Sequence, residues 1–343
     1  MKTIVKPVSP EAIAEAARII KEGGLVGMPT ETVYGLGADA LNEAAVLSIF
    51  AAKERPADNP LIVHVASLEE IAPLVRSIPE GARLLMEAFW PGPMTLILPK
   101  SERISSAVSA GLDTVGIRMP ASDAARALIR ASGTPIAAPS ANRSGKPSPT
   151  TAQHVFEDMD GRIPMILDGG ECEVGVESSV IDATGETPII LRPGGITPEM
   201  VESVLGSCDV DEHVMSPLKE GELVRSPGMK HRHYSPEAKT AIYEGAAQNV
   251  IAAICAAYDE AQDRGEKPCI LGFDEHDFGD RNKISLGSES APREAAKRLF
   301  AALRELDERG ETVALCEAVE PTGIGLAVMN RMGRAAGFDL RRV

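Results

Sequence analysis

Short apolar runs bounded by proline or glycine constrain this chain most: LVGMP (25–29), LIVHV (61–65), MTLILP (94–99), VGIRMP (115–120) and PIAAP (135–139). Each is too short for a helix and has the composition of a buried strand. Stretches of helical length lie between them. Ser9-Pro10-Glu11 opens the first, with Ser9 as N-cap and Pro10 in the first turn, and Gly23-Gly24 closes it after Lys21. Further helices are expected over 43–53, 68–76, 80–88, 122–131, 151–159 and 197–205, and further strands in ILDGG, ESSVIDAT and IILRPGG. This alternation predicts an open α/β fold with a twisted sheet. PTETVYGLGADA (29–40) carries neither period and is expected as a polar loop leaving a strand end, where α/β proteins bind ligands.

The rhythm dissolves over 206–236, which reads as a linker. A tether needs no run such as Lys230-His231-Arg232-His233-Tyr234, so the segment is expected to act as a lid. Beyond it, TAIYEG, CILGF, ISLG and TVALCEAV are expected strands, and 246–263, 291–309 and 325–337 expected helices. They describe a small Rossmann-like α/β domain. The division is then 1–205, a linker 206–236, and 237–343.

Composition narrows the function. The net charge is −15 and aromatics make up only 3%, which argues against bulk attraction to nucleic acid and against an aromatic platform for bases. The cysteines at 172, 208, 255, 269 and 316 show no metal-ligand spacing and read as buried thiols of a reducing compartment. No apolar signal core or membrane-spanning run is evident, so a cytoplasmic protein without membrane contact is expected. A Walker A loop, HExxH, GxSxG and an Asp-rich metal loop are all absent. GLGADA (35–40) matches a loose dinucleotide loop, the basis of a dehydrogenase reading, but PTETVY separates it from the preceding strand.

The densest chemistry lies in KERPADNPLIVHV (53–65). Lys53 and Arg55 are expected on the last turn of a helix stopped by Pro56 and Pro60, followed by a strand bearing His64. Polar groups on such stiff supports suit an anionic ligand, although the same residues are also consistent with solvated charges and a satisfied sheet histidine. Arg118 sits among apolar neighbours, where it needs either a carboxylate of the fold or an anionic ligand. SANRSGKPSPTTAQHV (140–155) is a polar loop between a strand and a helix.

Together, PTETVYGLG, Lys53-x-Arg55 and Ser140-x-Asn142 resemble the YrdC-like family of L-threonylcarbamoyladenylate synthases over about residues 10–205, and the remainder resembles its two-domain form. The resemblance implies an open α/β fold with a concave cationic cavity. It implies synthesis of L-threonylcarbamoyl-AMP from L-threonine, bicarbonate or CO2 and ATP with release of pyrophosphate. That is the first step of tRNA threonylcarbamoyladenosine modification, and the product passes to a tRNA threonylcarbamoyl transferase complex. In these roles Lys53 and Arg55 are the expected catalytic cations, with ATP also held by Asn59, Thr114, Ser140, Asn142, Ser148, Arg192 and Tyr234. Thr32, His64, Arg118 and Ser178 are expected to hold threonine. Mg²⁺ would accompany ATP, carried by phosphates and water without a protein ligand set. The alternative is a double-stranded RNA or tRNA-binding module; a weak tRNA contact is compatible with either.

Overall fold

A computed structural model of the chain describes residues 1–217 and 234–343. The chain divides into two units, the first holding 1–144 and 148–214, the second holding 145–147, 215–217 and 234–343.

The first unit begins β1 (Ile4–Pro7), α1 (Pro10–Lys21), β2 (Val26–Met28), β3 (Gly35–Asp39), α2 (Glu43–Lys53) and β4 (Ile62–His64). It continues α3 (Glu80–Phe89), β5 (Met94–Pro99), α4 (Ser106–Ser109), β6 (Thr114–Arg118), α5 (Asp123–Ser132) and β7 (Ile136–Ala137). The last elements are α6 (Ala152–Met159), β8 (Met165–Asp168), β9 (Ser179–Asp182), β10 (Ile189–Arg192), α7 (Pro198–Leu205) and β11 (Asp209–Val210). The strands form one mixed sheet in the order β1-β8-β2-β3-β7-β4-β6-β5-β9-β10-β11. Helix starts follow the capping rule: the side chains of Ser9, Asn42, Ser122, Thr151 and Thr197 each accept from a backbone N–H of the first turn. A large apolar core gathers Leu36, Ile49, Val63, Leu85, Leu96 and Ile117, and a second cluster joins Ala16, Ile20, Val26 and Leu128.

Three local expectations are corrected. Residues 68–76 form turns rather than a helix: Pro73 removes a helical N–H, and the Glu70 carboxylate accepts from Ala66 N–H at 2.8 Å. Within 29–40, Gly35–Asp39 is a strand. Its glycines mark close packing, since a Cβ at Gly37 would lie 2.9 Å from the Ile136 side chain. Helix α2 ends at Lys53, and Glu54 takes a left-handed φ of 53°, so Arg55 stands outside the last turn.

In the second unit, β12 (Lys239–Glu244), α8 (Ala247–Asp263), β13 (Pro268–Gly272), β14 (Lys283–Ser285), α9 (Pro292–Arg309), β15 (Val313–Glu317), α10 (Gly325–Ala335) and β16 (Leu340–Arg342) follow in order. All five strands are parallel, in the order β14-β13-β15-β12-β16, which is the Rossmann-like arrangement expected.

Candidate active site

Strand register brings the predicted threonine residues together. β4 and β6 run parallel with His64 opposite Arg118, and β5 runs antiparallel to β6 with Thr95 opposite Arg118. Thr95 Oγ1 lies 2.8 Å from Ser178 Oγ, just ahead of β9. Arg118 Nη1 donates to Thr32 Oγ1 at 2.9 Å. Thr32, His64, Arg118 and Ser178 therefore share the carboxyl ends of β4 and β6, and each is at most 4% exposed.

Arg118 answers the question its sequence left open. It forms an ion pair with Glu31 at 2.7 Å, both side chains buried. Burial alone would raise the Glu31 carboxyl, but the Arg118 guanidinium offsets this and holds it below the usual carboxylate range. His64 is fully enclosed, and burial, aided by the Arg118 charge, pushes its pKa down to about 3. The imidazole is thus neutral near pH 7.

The nucleotide candidates gather mainly at the other end. Asn59 precedes β4 and Thr114 opens β6, four residues from Arg118 and so about 13 Å away at ~3.3 Å per residue. β7 runs antiparallel to β4, which carries the chain leaving it, with Ser140 and Asn142, back toward that amino end. Lys53 is 2% exposed, and its ammonium donates to Ser140 O, to Asn142 O at 2.6 Å and to Asn142 Oδ1 at 3.3 Å. Ser144 N–H in turn donates to Lys53 O at 3.1 Å. Lys53 therefore fastens the 140–144 loop to the end of α2, a role its sequence position did not reveal. Arg55 reaches Asn59 O at 3.5 Å, with its guanidinium carbon 5.8 Å from the Phe50 ring centre.

Arg192 and Ser148 stand nearer the threonine candidates than Thr114 does. Arg192 donates through Nε and Nη2 to Ser178 O, at 3.1 and 3.0 Å, and through Nη2 to Ser178 Oγ at 3.2 Å. Ser148 Oγ donates to the carboxylate of Glu177 at 2.5 Å. Glycine at 194 permits the close approach of that backbone to residues 177–179, because a Cβ there would meet Ser179 N at 2.3 Å. Tyr234 belongs to the second unit, its ring 5.1 Å from that of Phe300 with Arg331 above it at 5.9 Å. Lys230, His231, Arg232 and His233 lie outside the described residues, and with them most of the expected lid.

Sequence reasoning missed Glu31, Thr95 and Glu177. For Glu31 a signal existed, since a strand arginine among apolar neighbours requires a carboxylate and PTETVYGLG holds one. Thr95 and Glu177 carry no such signal, because their roles arise from register alone.

Residues 18–194 match the family model Sua5_yciO_yrdC, described as "Telomere recombination", and 196–337 match the threonylcarbamoyl-AMP synthase C-terminal domain. The threonylcarbamoyl-AMP synthase of Pyrococcus abyssi is 49% identical, over 96% of this chain and 95% of its own length. That of Bacillus subtilis is 47% identical, over 95% and 93% respectively. The crystal structure of P. abyssi Sua5 complexed with L-threonine superposes with a TM-score of 0.94 at 47% identity, covering 100% of this chain and 99% of that one. The chain is an enzyme of the threonylcarbamoyl-AMP synthase family.

Proposed function

We propose that the first unit joins L-threonine, bicarbonate or CO2 and ATP into L-threonylcarbamoyl-AMP, releasing pyrophosphate, as the first step of tRNA threonylcarbamoyladenosine formation. One observation carries the residue assignment. Arg118 Nε, His64 Nδ1 and both amide atoms of Asn59 are buried without a hydrogen-bond partner among the described residues. Each such atom costs about 1–3 kcal/mol, a cost that a polar ligand would offset. The solved relative in complex with L-threonine supports the amino acid as one such ligand.

In this reading the threonine carboxylate meets Arg118, already poised by Glu31 and Thr32. Neutral His64, Thr32 and Ser178 line the same end of the sheet, where a hydroxyl can be read by hydrogen bonds. The threonine nitrogen, as a neutral amine after its ammonium has lost one proton, bonds to the carbon of CO2 as one C=O π pair moves onto oxygen, and a second N–H proton leaves to solvent to give the carbamate. A carbamate oxygen then attacks the α-phosphorus of ATP as the α–β phosphoanhydride bond breaks and pyrophosphate leaves. Charge grows on phosphate oxygens during that step, and Arg55 suits it as a bidentate donor. Lys53 adds a fixed positive charge while holding Ser140 and Asn142 against the nucleotide. Asn59, Thr114, Ser148, Arg192 and Tyr234 complete the nucleotide set.

No group of three or more His, Cys, Asp or Glu among the described residues could hold a metal ion. Mg²⁺ would enter with ATP, carried by its phosphates and water, and would supply charge neutralisation there. No helix among the described residues is long and apolar enough to cross a membrane. We place the enzyme in the cytoplasm, handing its product to a tRNA threonylcarbamoyl transferase complex.

The test is pyrophosphate release from ATP in bicarbonate buffer with and without threonine. Release that requires threonine is expected; release that is equal without it would overturn the reading.

A further inference from the structure

A threonine hydroxyl has one proton and two lone pairs, so its partners decide what it can offer a ligand. Beside Thr32 lies Thr30, a buried residue whose Oγ1 donates to Val33 O at 2.6 Å. A carbonyl oxygen only accepts, so this contact uses the single Thr30 proton. Thr30 Oγ1 stands 2.9 Å from Thr32 Oγ1, and with its own proton spent it can only accept there. The Thr32 proton is therefore directed at Thr30. The longer approaches of Thr32 N–H and Val33 N–H to Thr30 Oγ1, at 3.2 and 3.3 Å, share its other lone pair and fix its rotamer.

Thr32 Oγ1 in turn accepts from Arg118 Nη1 at 2.9 Å. One lone pair is left, and no donor among the described residues meets it. The backbone gives this hydroxyl little freedom to turn away: Val174 N–H donates to Glu31 O at 2.8 Å and Gly175 N–H to Thr32 O at 3.2 Å. Thr32 thus offers a ligand an acceptor and no donor.

That polarity matches one group of an amino acid. With the carboxylate at Arg118, the ammonium is the polar group one carbon away, and an ammonium has donors only. A hydroxyl free to rotate would turn its proton outward for a second carboxylate oxygen; one committed to Thr30 cannot. The ionised Glu31, 2.7 Å from Arg118, offsets the like charge that ammonium and guanidinium would otherwise share.

We propose that Thr30 is a positioning residue of the reaction, which takes the Thr32 proton so that Thr32 Oγ1 accepts from the ammonium group of the substrate threonine. The proposal rests on the reading that the Arg118 end of the sheet binds threonine. The contact outlasts proton loss, because the neutral amine keeps N–H groups, and it holds the nitrogen while its lone pair meets CO2.

The test uses the full chain, with calorimetric titration of L-threonine and of ATP. Competition by (R)-3-hydroxybutyrate is measured alongside, since this acid keeps the carboxylate and hydroxyl of threonine and lacks its nitrogen. The unsubstituted chain should prefer L-threonine by at least about tenfold, the range of a hydrogen bond to a charged group. Thr30→Val keeps the side chain's shape and removes its hydroxyl; L-threonine should bind it at least about tenfold more weakly, with ATP and (R)-3-hydroxybutyrate unaffected. Thr30→Ser, which returns the hydroxyl, should restore threonine affinity. Unchanged threonine affinity in Thr30→Val, an equal loss for (R)-3-hydroxybutyrate, or no rescue in Thr30→Ser would each overturn the proposal. So would an unsubstituted chain that binds both acids equally, a comparison that holds even where Thr30→Val does not fold. A chain that binds no threonine at all would overturn the site reading and the proposal with it, whereas threonine bound equally by Thr30→Val overturns the role of Thr30 alone.

Discussion

Arg118 and Glu31 form a buried ion pair at the carboxyl end of β6. Removing Arg118 alone leaves Glu31 as a buried carboxylate without its partner, and such breakage costs about 3–5 kcal/mol. We expect Arg118→Met to melt at markedly lower temperature at neutral pH, with stability regained as pH falls and Glu31 takes up a proton. In the unsubstituted chain the sign is opposite. The lowered carboxyl of Glu31 contributes stability above the unfolded pKa that is lost as pH falls. Denaturant curves on both proteins between neutral and mildly acid pH check this. His64 supplies a second pH signature. Its pKa falls from 6.5 unfolded to about 3 folded, so stability present above 6.5 is lost as pH drops through that window. His64→Gln should abolish that loss, up to ~2 kcal/mol between pH 6.5 and 5 at ~1.4 kcal/mol per pH unit. An unchanged slope would mean that His64 is protonated in the native state.

At the scale of elements, Lys53 is the joint between α2 and the loop that follows β7. Lys53→Met should cost about 2–3 kcal/mol through lost charge-assisted hydrogen bonds. It should also speed amide exchange at Ser144, whose N–H rests on Lys53 O. Lost ATP binding with Ser144 protection unchanged would instead make Lys53 a direct phosphate ligand. Much of this level was legible beforehand. The strands in LIVHV, MTLILP and VGIRMP and the capped helix after Ser9 follow from local composition and turn chemistry. What was not legible depends on distant contacts. The strand in GLGAD looks like a loop until Ile136 is seen packed against Gly37, and the apparent helix at 68–76 loses to Pro73 and the Glu70 cap. Side-chain partners were harder still. That His64, Arg118, Thr95 and Ser178 meet depends on the register of β4, β6, β5 and β9, which local pattern does not set.

For the whole molecule, a net charge of −15 disfavours bulk attraction to an RNA backbone. We expect no tRNA complex in a gel shift at physiological salt, since backbone binding needs cations that release counterions. A stable shift under those conditions would restore the RNA-binding alternative. In the proposed function, one end of the first unit's sheet recognises threonine independently of the nucleotide residues. Calorimetric titration of Glu31→Gln/Arg118→Met, in which the buried pair is removed together, tests it most directly, with Glu31→Gln as control. Threonine binding should weaken at least tenfold relative to that control, about 1.4 kcal/mol, while ATP affinity is unchanged. Undiminished threonine affinity, or equal losses for threonine and ATP, would contradict it.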